Sequence, residues 1–347
     1  MNKAVSPVPI LGEDIFLSSS PPDVQIHLRR KCLASRPALG EASPVLFVHG
    51  ATFSGMSAFD APLPGGSWLD FAARHGWDAY ALDVRGYGLS SRPTARQGHP
   101  LLERPYARTD EAIADLSAAV DLILDRTGAD RVDLVGWSWG TAICGGYAAN
   151  NNDKVRRLVL YAPLWVLRDM PRAGLPQALM PLAWLPMLGP FFSAHLGAFR
   201  DVSLDDVRRR WFRGLDDRTA ETLCPREVLE RWWEYVLGLD PIGADQSPPA
   251  VRAPNGVMAD LIESWATGNP TYEPGNIRVP VLAILGEWDV DTPQYMAQEL
   301  FGRLTATPYK RLEVLGRGTH SMSLEVNRFD LYQRVQEFLE TTFVATR

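Results

Sequence analysis

The chain has 347 residues, 46% hydrophobic and 22% charged, enough for one large domain or a core domain with an insertion. Its formal net charge of −6, with no basic tract, excludes the electrostatic footprint of a nucleic-acid-binding protein. Three widely spaced cysteines, Cys32, Cys144 and Cys224, fit neither a disulfide framework nor a zinc site, and no apolar run reaches the length of a membrane span. Met1 to Ser18 carry a single lysine and no sustained apolar stretch, so they do not read as a signal peptide. The expectation is a soluble, cytoplasmic protein, and nothing in the sequence fixes an oligomeric state.

Residues 1–43 read as an irregular lead-in with one or two edge strands, Val24 to Leu28 alternating apolar with polar. Pro44 to Val48 is short and wholly apolar, the mark of a buried parallel strand, and it runs into the loop His49-Gly50-Ala51-Thr52. Trp68 to Arg74 predicts a helix stopped by Gly76, and Asp78 to Leu82 a third strand. Thr109 to Thr127 predicts an amphipathic helix with Ile113, Leu116, Val120 and Ile123 at helical spacing and Thr109 as its N-cap. Val132 to Val135 then enters Gly136-Trp137-Ser138-Trp139-Gly140 and a helix-prone stretch of small residues. A strand, a Gly-x-Ser-x-Gly turn and a helix together form a nucleophile elbow, which stands a serine hydroxyl at the end of a sheet. On its own the pentapeptide is a weak signal.

Val155 to Tyr161 is another buried strand, after which the rhythm breaks. From Leu164 to about Asn276 there is no convincing buried strand, only prolines, short helical patterns and several tryptophans, among them Trp165, Trp184, Trp211, Trp232, Trp233 and Trp265. Strands return at Val279 to Leu285 and Lys310 to Leu315, and Phe329 to Phe343 closes as a helix. The expected division is a core of residues 1–163 and 277–347 interrupted by an insertion, 164–276. The insertion's tryptophans suggest an apolar, partly aromatic underside, with Trp165 beside the hinge as a substrate contact. The run Asp205 to Arg210 is most simply a solvated face.

Serine needs a base, usually a histidine oriented by a carboxylate. His320 sits in a glycine-flanked loop after the last strand, and Asp289 in the loop after the preceding one. In a parallel sheet both loops fall on the edge where Ser138 stands. Asp291 competes with Asp289 and is otherwise expected to cap the helix starting near Thr292 and Pro293. His27, His75, His99 and His195 have no partner context in the sequence, and no histidine has metal-ligand spacing.

Taken together these blocks resemble the α/β-hydrolase superfamily, and specifically its capped serine esterases. The resemblance rests on His49-Gly50, Asp83 to Ser90, the elbow, and the loops of Asp289 and His320, in that order. It implies a mostly parallel sheet of about eight strands with helices on both faces and a helical cap over the site. It also implies Ser138, His320 and Asp289 as the catalytic triad, with no metal or organic cofactor. The oxyanion hole would be the N–H groups of Ala51 and Trp139, with Thr52 as the alternative donor and a pocket-lining residue. His49 is expected to tie the oxyanion loop, and Asp83 and Arg85 to hold their own turn. The reaction expected is hydrolysis of a small apolar or aromatic carboxylic ester through an acyl-enzyme. Amide, lactone and carbon–carbon bond hydrolysis remain open to the same triad, as does, in another class, a non-catalytic scaffold binding a small molecule.

Overall fold

A computed structural model describes residues 8–35, 43–92, 104–167, 193 and 195–343. Its centre is an eight-stranded sheet in the order β1-β2-β4-β3-β5-β6-β9-β10. The strands are β1 (Ile10–Ser18), β2 (Gln25–Leu33), β3 (Pro44–Val48), β4 (Asp78–Asp83), β5 (Val132–Trp137), β6 (Val155–Tyr161), β9 (Val281–Gly286) and β10 (Lys310–Leu315). β1 pairs antiparallel with β2, and β2 antiparallel with β4; the remaining neighbours are parallel. The hairpin of the first two strands is longer than the alternation of Val24 to Leu28 announces, because much of β1 is exposed and carries no apolar pattern.

The helices of the core are α1 (Gly55–Phe59), α2 (Trp68–Arg74), α3 (Thr109–Thr127) and α4 (Trp139–Asn150). Alternation along the buried strands explains why helices cover both faces. Leu46, Val48 and Leu134 face the cluster that includes α3 and α4, whereas Val45, Phe47, Val135 and Trp137 face the cluster of α2 and the last helix. Thr109 is the first residue of α3 rather than its cap. Arg108 takes the cap position, its N–H bonded to Glu111, while Asp260 accepts both the N–H and the hydroxyl of Thr109.

Between β6 and β9 the described chain forms β7 (Phe199–Ser203), α5 (Leu204–Trp211), α6 (Asp217–Leu223), α7 (Arg226–Gly238), α8 (Pro241–Ala244), β8 (Ala250–Pro254) and α9 (Gly256–Glu263). β7 and β8 pair as an antiparallel ribbon, a small strand pair where the sequence shows no convincing buried strand. Phe199–Ser203 is half-exposed and polar at three of its five positions, and Ala250–Pro254 carries Arg252 and ends in proline, so neither carries the apolar run of a buried strand. Trp211, Trp232 and Trp233 pack together with Leu63 and Leu324 in a third cluster, which seats this segment on the core. Trp184 lies outside the described residues. After β9 come α10 (Gln294–Arg303), β10 and α11 (Arg328–Glu340). No helix of the described residues is long and apolar enough to cross a membrane.

β3 pairs with β4 on one side and β5 on the other, so the chain reverses its direction of winding at β3. Loops leaving the carboxyl ends of β3 and β5 therefore part around a crevice, the place where open parallel sheets bind their ligands.

Candidate active site

The elbow is built by sterics. Ser138 has φ 56° and ψ −119°, a conformation that side chains disfavour, and its N–H is fixed to the Tyr161 carbonyl at 2.9 Å. A Cβ at Gly136 would lie 2.4 Å from the Gly140 carbonyl oxygen, and one at Gly140 would lie 2.1 Å from that of Val48. Both positions thus require glycine for strand, turn and helix to close on one another.

Three side chains meet at the end of the sheet. His320 Nε2 lies 2.9 Å from Ser138 Oγ, and His320 Nδ1 lies 2.9 Å from Asp289 Oδ2. Ser138 and His320 are each 7% exposed. The Asp289 carboxylate is itself held by the N–H groups of Asp291 and Thr292 and by the Thr292 hydroxyl. The His320 carbonyl accepts from Trp137 Nε1 and from the Tyr161 hydroxyl, both at 2.9 Å, which fixes its loop against β5 and β6. Burial alone would depress the imidazole, but the charge and hydrogen bond of Asp289, with Asp291 adding, hold His320 above its ordinary value. The arrangement can draw a proton from Ser138 and stabilise the imidazolium that results.

Asp291 does not reach the histidine. It meets Arg210 of α5 at 2.6 Å and Arg213, just beyond that helix, at 3.6 Å. Burial would raise its carboxyl, yet Arg210 foremost, then His320 and Arg213, hold it low. It caps nothing: α10 starts behind Pro293 without a side-chain cap, and the N–H of Thr292 belongs to Asp289.

The loop after β3 approaches the serine closely; a Cβ on Gly50 would lie 3.1 Å from that of Ser138. His49 is buried, and burial lowers its pKa. Its Nε2 accepts from the Val84 N–H, so its Nδ1 carries the proton and donates to the Gly50 carbonyl at 2.7 Å. That bond orients the Gly50–Ala51 peptide, whose N–H has no acceptor among the described residues. Trp139 opens α4, so its N–H is one of the free donors at a helix start. Asp83 accepts from the N–H groups of Met56 and Leu89 and from His27. Arg85 grips Asp115 on α3 rather than its own turn. His27, which the sequence leaves without a partner, is buried between Asp83 at 2.9 Å and Asp14 at 3.0 Å.

A cavity of about 220 Å³ opens over Ser138 and His320. Its apolar wall includes Phe53, Trp137, Val202, Val207 and Trp211, and its polar wall Thr52, Arg200, Asp206, Arg210 and Asp291. Trp165 is not among the residues lining it, which corrects its assignment as a substrate contact. Its ring, 1% exposed, stands edge-on to Tyr272 at 5.5 Å and under Arg303, in the cluster on the α4 side of the sheet. Leaving β6 beside Ser138 did not aim it at the cavity, because the Leu164 N–H is tied to the Thr141 hydroxyl and turns the chain along α4. The sequence missed Arg200; Arg210 is exposed, as the reading of Asp205 to Arg210 as a solvated face has it, and what that reading did not reveal is its ion pair with Asp291, which lies in a distant loop. Among the described residues no group of three or more histidine, cysteine, aspartate or glutamate side chains could hold a metal ion.

A model of the alpha/beta hydrolase fold family matches residues 43–325. Among curated proteins, the proline iminopeptidase of Neisseria gonorrhoeae is 24% identical over 290 residues, covering 79% of this chain and 82% of the relative. The structure of 2-hydroxy-6-oxo-6-phenylhexa-2,4-dienoate hydrolase from Rhodococcus sp. strain RHA1 superposes with a TM-score of 0.59 at 15% identity, over 95% of this chain and 99% of that one. The enol-lactonase of Burkholderia xenovorans LB400 gives 0.59 at 18% identity, over 94% and 100%.

Proposed function

The chain belongs to the α/β hydrolase fold family, and from that premise we propose that it is a serine hydrolase cleaving a carboxylic ester of a small molecule through an acyl-enzyme. The observation that carries this reading is the hydrogen-bonded line from Ser138 through His320 to Asp289. In the proposed reaction Ser138 Oγ attacks the carbonyl carbon while His320 Nε2 takes its proton. Asp289 holds the proton of Nδ1 in place and balances the imidazolium. The N–H groups of Ala51 and Trp139 receive the oxyanion, each donor lowering the barrier by about 3 kcal/mol. His320 then protonates the departing alcohol, and water, deprotonated by the same imidazole, releases the acid. Residues 164–276 act in this reading as a cap whose apolar face, with Val202, Val207 and Trp211, closes the cavity over the acyl group. A cytoplasmic location belongs to the same reading and suits three buried cysteines that form no disulfide.

Amide hydrolysis is the second reading, favoured by the name of the curated relatives, proline iminopeptidase. One experiment decides both. A fluorophosphonate probe should label the wild type and not Ser138→Ala, and kcat/KM should be compared across p-nitrophenyl esters, a lactone and proline p-nitroanilide. Preference for the esters supports the proposal; preference for the anilide replaces it with a peptidase. Absence of labelling and of turnover on all substrates would leave a binding scaffold.

A further inference from the structure

The charges around the cavity do not cancel one by one. Asp291 is matched by Arg210 and Arg213, and Asp206 caps α5 through Ser203 and pairs with Arg209. Arg200, projecting from β7, has no carboxylate partner among the described residues. Its Nη1 donates to the Pro254 carbonyl at 2.6 Å and to Asn255 Oδ1 at 3.3 Å, and its Nη2 to the Ala51 carbonyl at 2.8 Å. These bonds fix the guanidinium as a fork but supply only partial charges. The Nε–H and one Nη2–H remain without an acceptor among the described residues, in a side chain that lines the cavity.

A guanidinium enclosed without a counter-charge is expensive, and chains seldom keep one except where an anion arrives. Although the residue is only partly buried, its charged head is enclosed enough that burial pulls its pKa down to about 10. The Ala51 carbonyl it holds belongs to the residue whose N–H the proposed mechanism assigns to the oxyanion, so the fork and that donor share one residue of the loop after β3.

We propose that Arg200 binds a carboxylate carried by the substrate itself, a few bonds from the scissile carbonyl, so that the substrate is the monoester of a short dicarboxylic acid or a close analogue. This deepens the ester-hydrolase reading and rests on it for the scissile bond. The carboxylate replaces the missing counter-charge, and the planar fork accepts its two oxygens. The apolar wall then covers the connecting carbons. Arg210, already committed to Asp291, adds positive potential without needing to let go of its partner.

The test compares 4-nitrophenyl hydrogen glutarate with 4-nitrophenyl valerate, two acyl chains of equal length differing in one carboxylate. The wild type should prefer the glutarate, and Arg200→Gln should lower the glutarate-to-valerate ratio of kcat/KM about tenfold or more, the scale of a charged hydrogen bond. Arg200→Lys should recover part of it. Equal losses on both esters would make Arg200 a structural brace of Ala51 and overturn the proposal. A second measurement is independent of turnover: titration of Ser138→Ala with monomethyl glutarate and with methyl valerate. Tighter binding of the glutarate that is lost on adding Arg200→Gln supports the carboxylate site even if no ester is cleaved, in which case only the ester-hydrolase reading fails. Equal affinity for the two overturns the carboxylate site while leaving the hydrolase standing.

Discussion

Asp291 and Arg210 meet at 2.6 Å across the gap between the loop after β9 and the first helix beyond β7. That contact takes Asp291 out of competition for His320 and leaves Asp289, two residues earlier, as the carboxylate on Nδ1. Asp289→Asn is expected to lower kcat on the order of 10⁴-fold by favouring the wrong tautomer. Asp291→Asn is expected to lower it less than about tenfold at the pH optimum. Kinetics of the two variants side by side check the assignment, and a reversal of their order would defeat it.

The pH profile follows from the same pair. His320 acts as a base only when neutral, and its pKa is raised, so kcat/KM should rise through one ionisation lying above the ordinary histidine value of 6.5. Asp291 raises the His320 pKa and Arg210 lowers it. Asp291→Asn should therefore shift the inflection to lower pH, and Arg210→Gln to higher pH. Both shifts in the same direction would mean that the inflection belongs to another group.

Ser138 should be worth more to activity than to stability. Ser138→Ala is expected to lower kcat by several orders of magnitude with the fold intact. Ser138→Gly should be equally inactive yet more stable, by about 1 kcal/mol, because glycine relieves the strained φ of 56° by more than its extra chain entropy costs. Melting temperatures of the two variants give the comparison; a glycine variant less stable than the alanine variant would show that the elbow is unstrained.

Trp165 and Val202 should separate packing from recognition. Trp165→Ala empties a site in the core, so a loss of about 3–5 kcal/mol is expected with unchanged selectivity among esters. Val202→Phe narrows the cavity and should reduce kcat/KM on long acyl chains far more than on acetate. An ester series measured on both variants, with melting curves, would refute the placement if Trp165→Ala changed chain-length preference.

The sheet was legible wherever a strand is buried on both faces. Pro44–Val48 and Val155–Tyr161 are found at the predicted bounds, since mostly apolar runs of that length bracketed by turns admit few readings, and the half-exposed edge strand Lys310–Leu315 is found at its predicted bounds as well. Ser138, Asp289 and His320 could be placed on one edge because each follows a parallel strand. What could not be read are pairings made across space. His27 meets Asp14 and Asp83, Asp260 takes over the start of α3, and Arg210 reaches a loop some eighty residues away in sequence. Trp165 shows the reverse error: proximity along the chain to Ser138 says nothing about direction once one hydrogen bond has turned the backbone.

Tyr161 ends β6, yet its parallel neighbour in the sheet begins only at Val281. For equilibrium stability this detour matters little, since doubling a connecting loop adds only about 0.6 kcal/mol of closure entropy. For the nascent chain it sets a clock. During synthesis Ser138 and the loop after β3 leave the ribosome first, while Asp289 and His320, the acid and base of the proposed mechanism, follow on the order of ten seconds later. Through that interval Ser138 is an ordinary alcohol. In the proposed mechanism the reactivity of that alcohol therefore waits on β9 and β10, whose trailing loops carry Asp289 and His320.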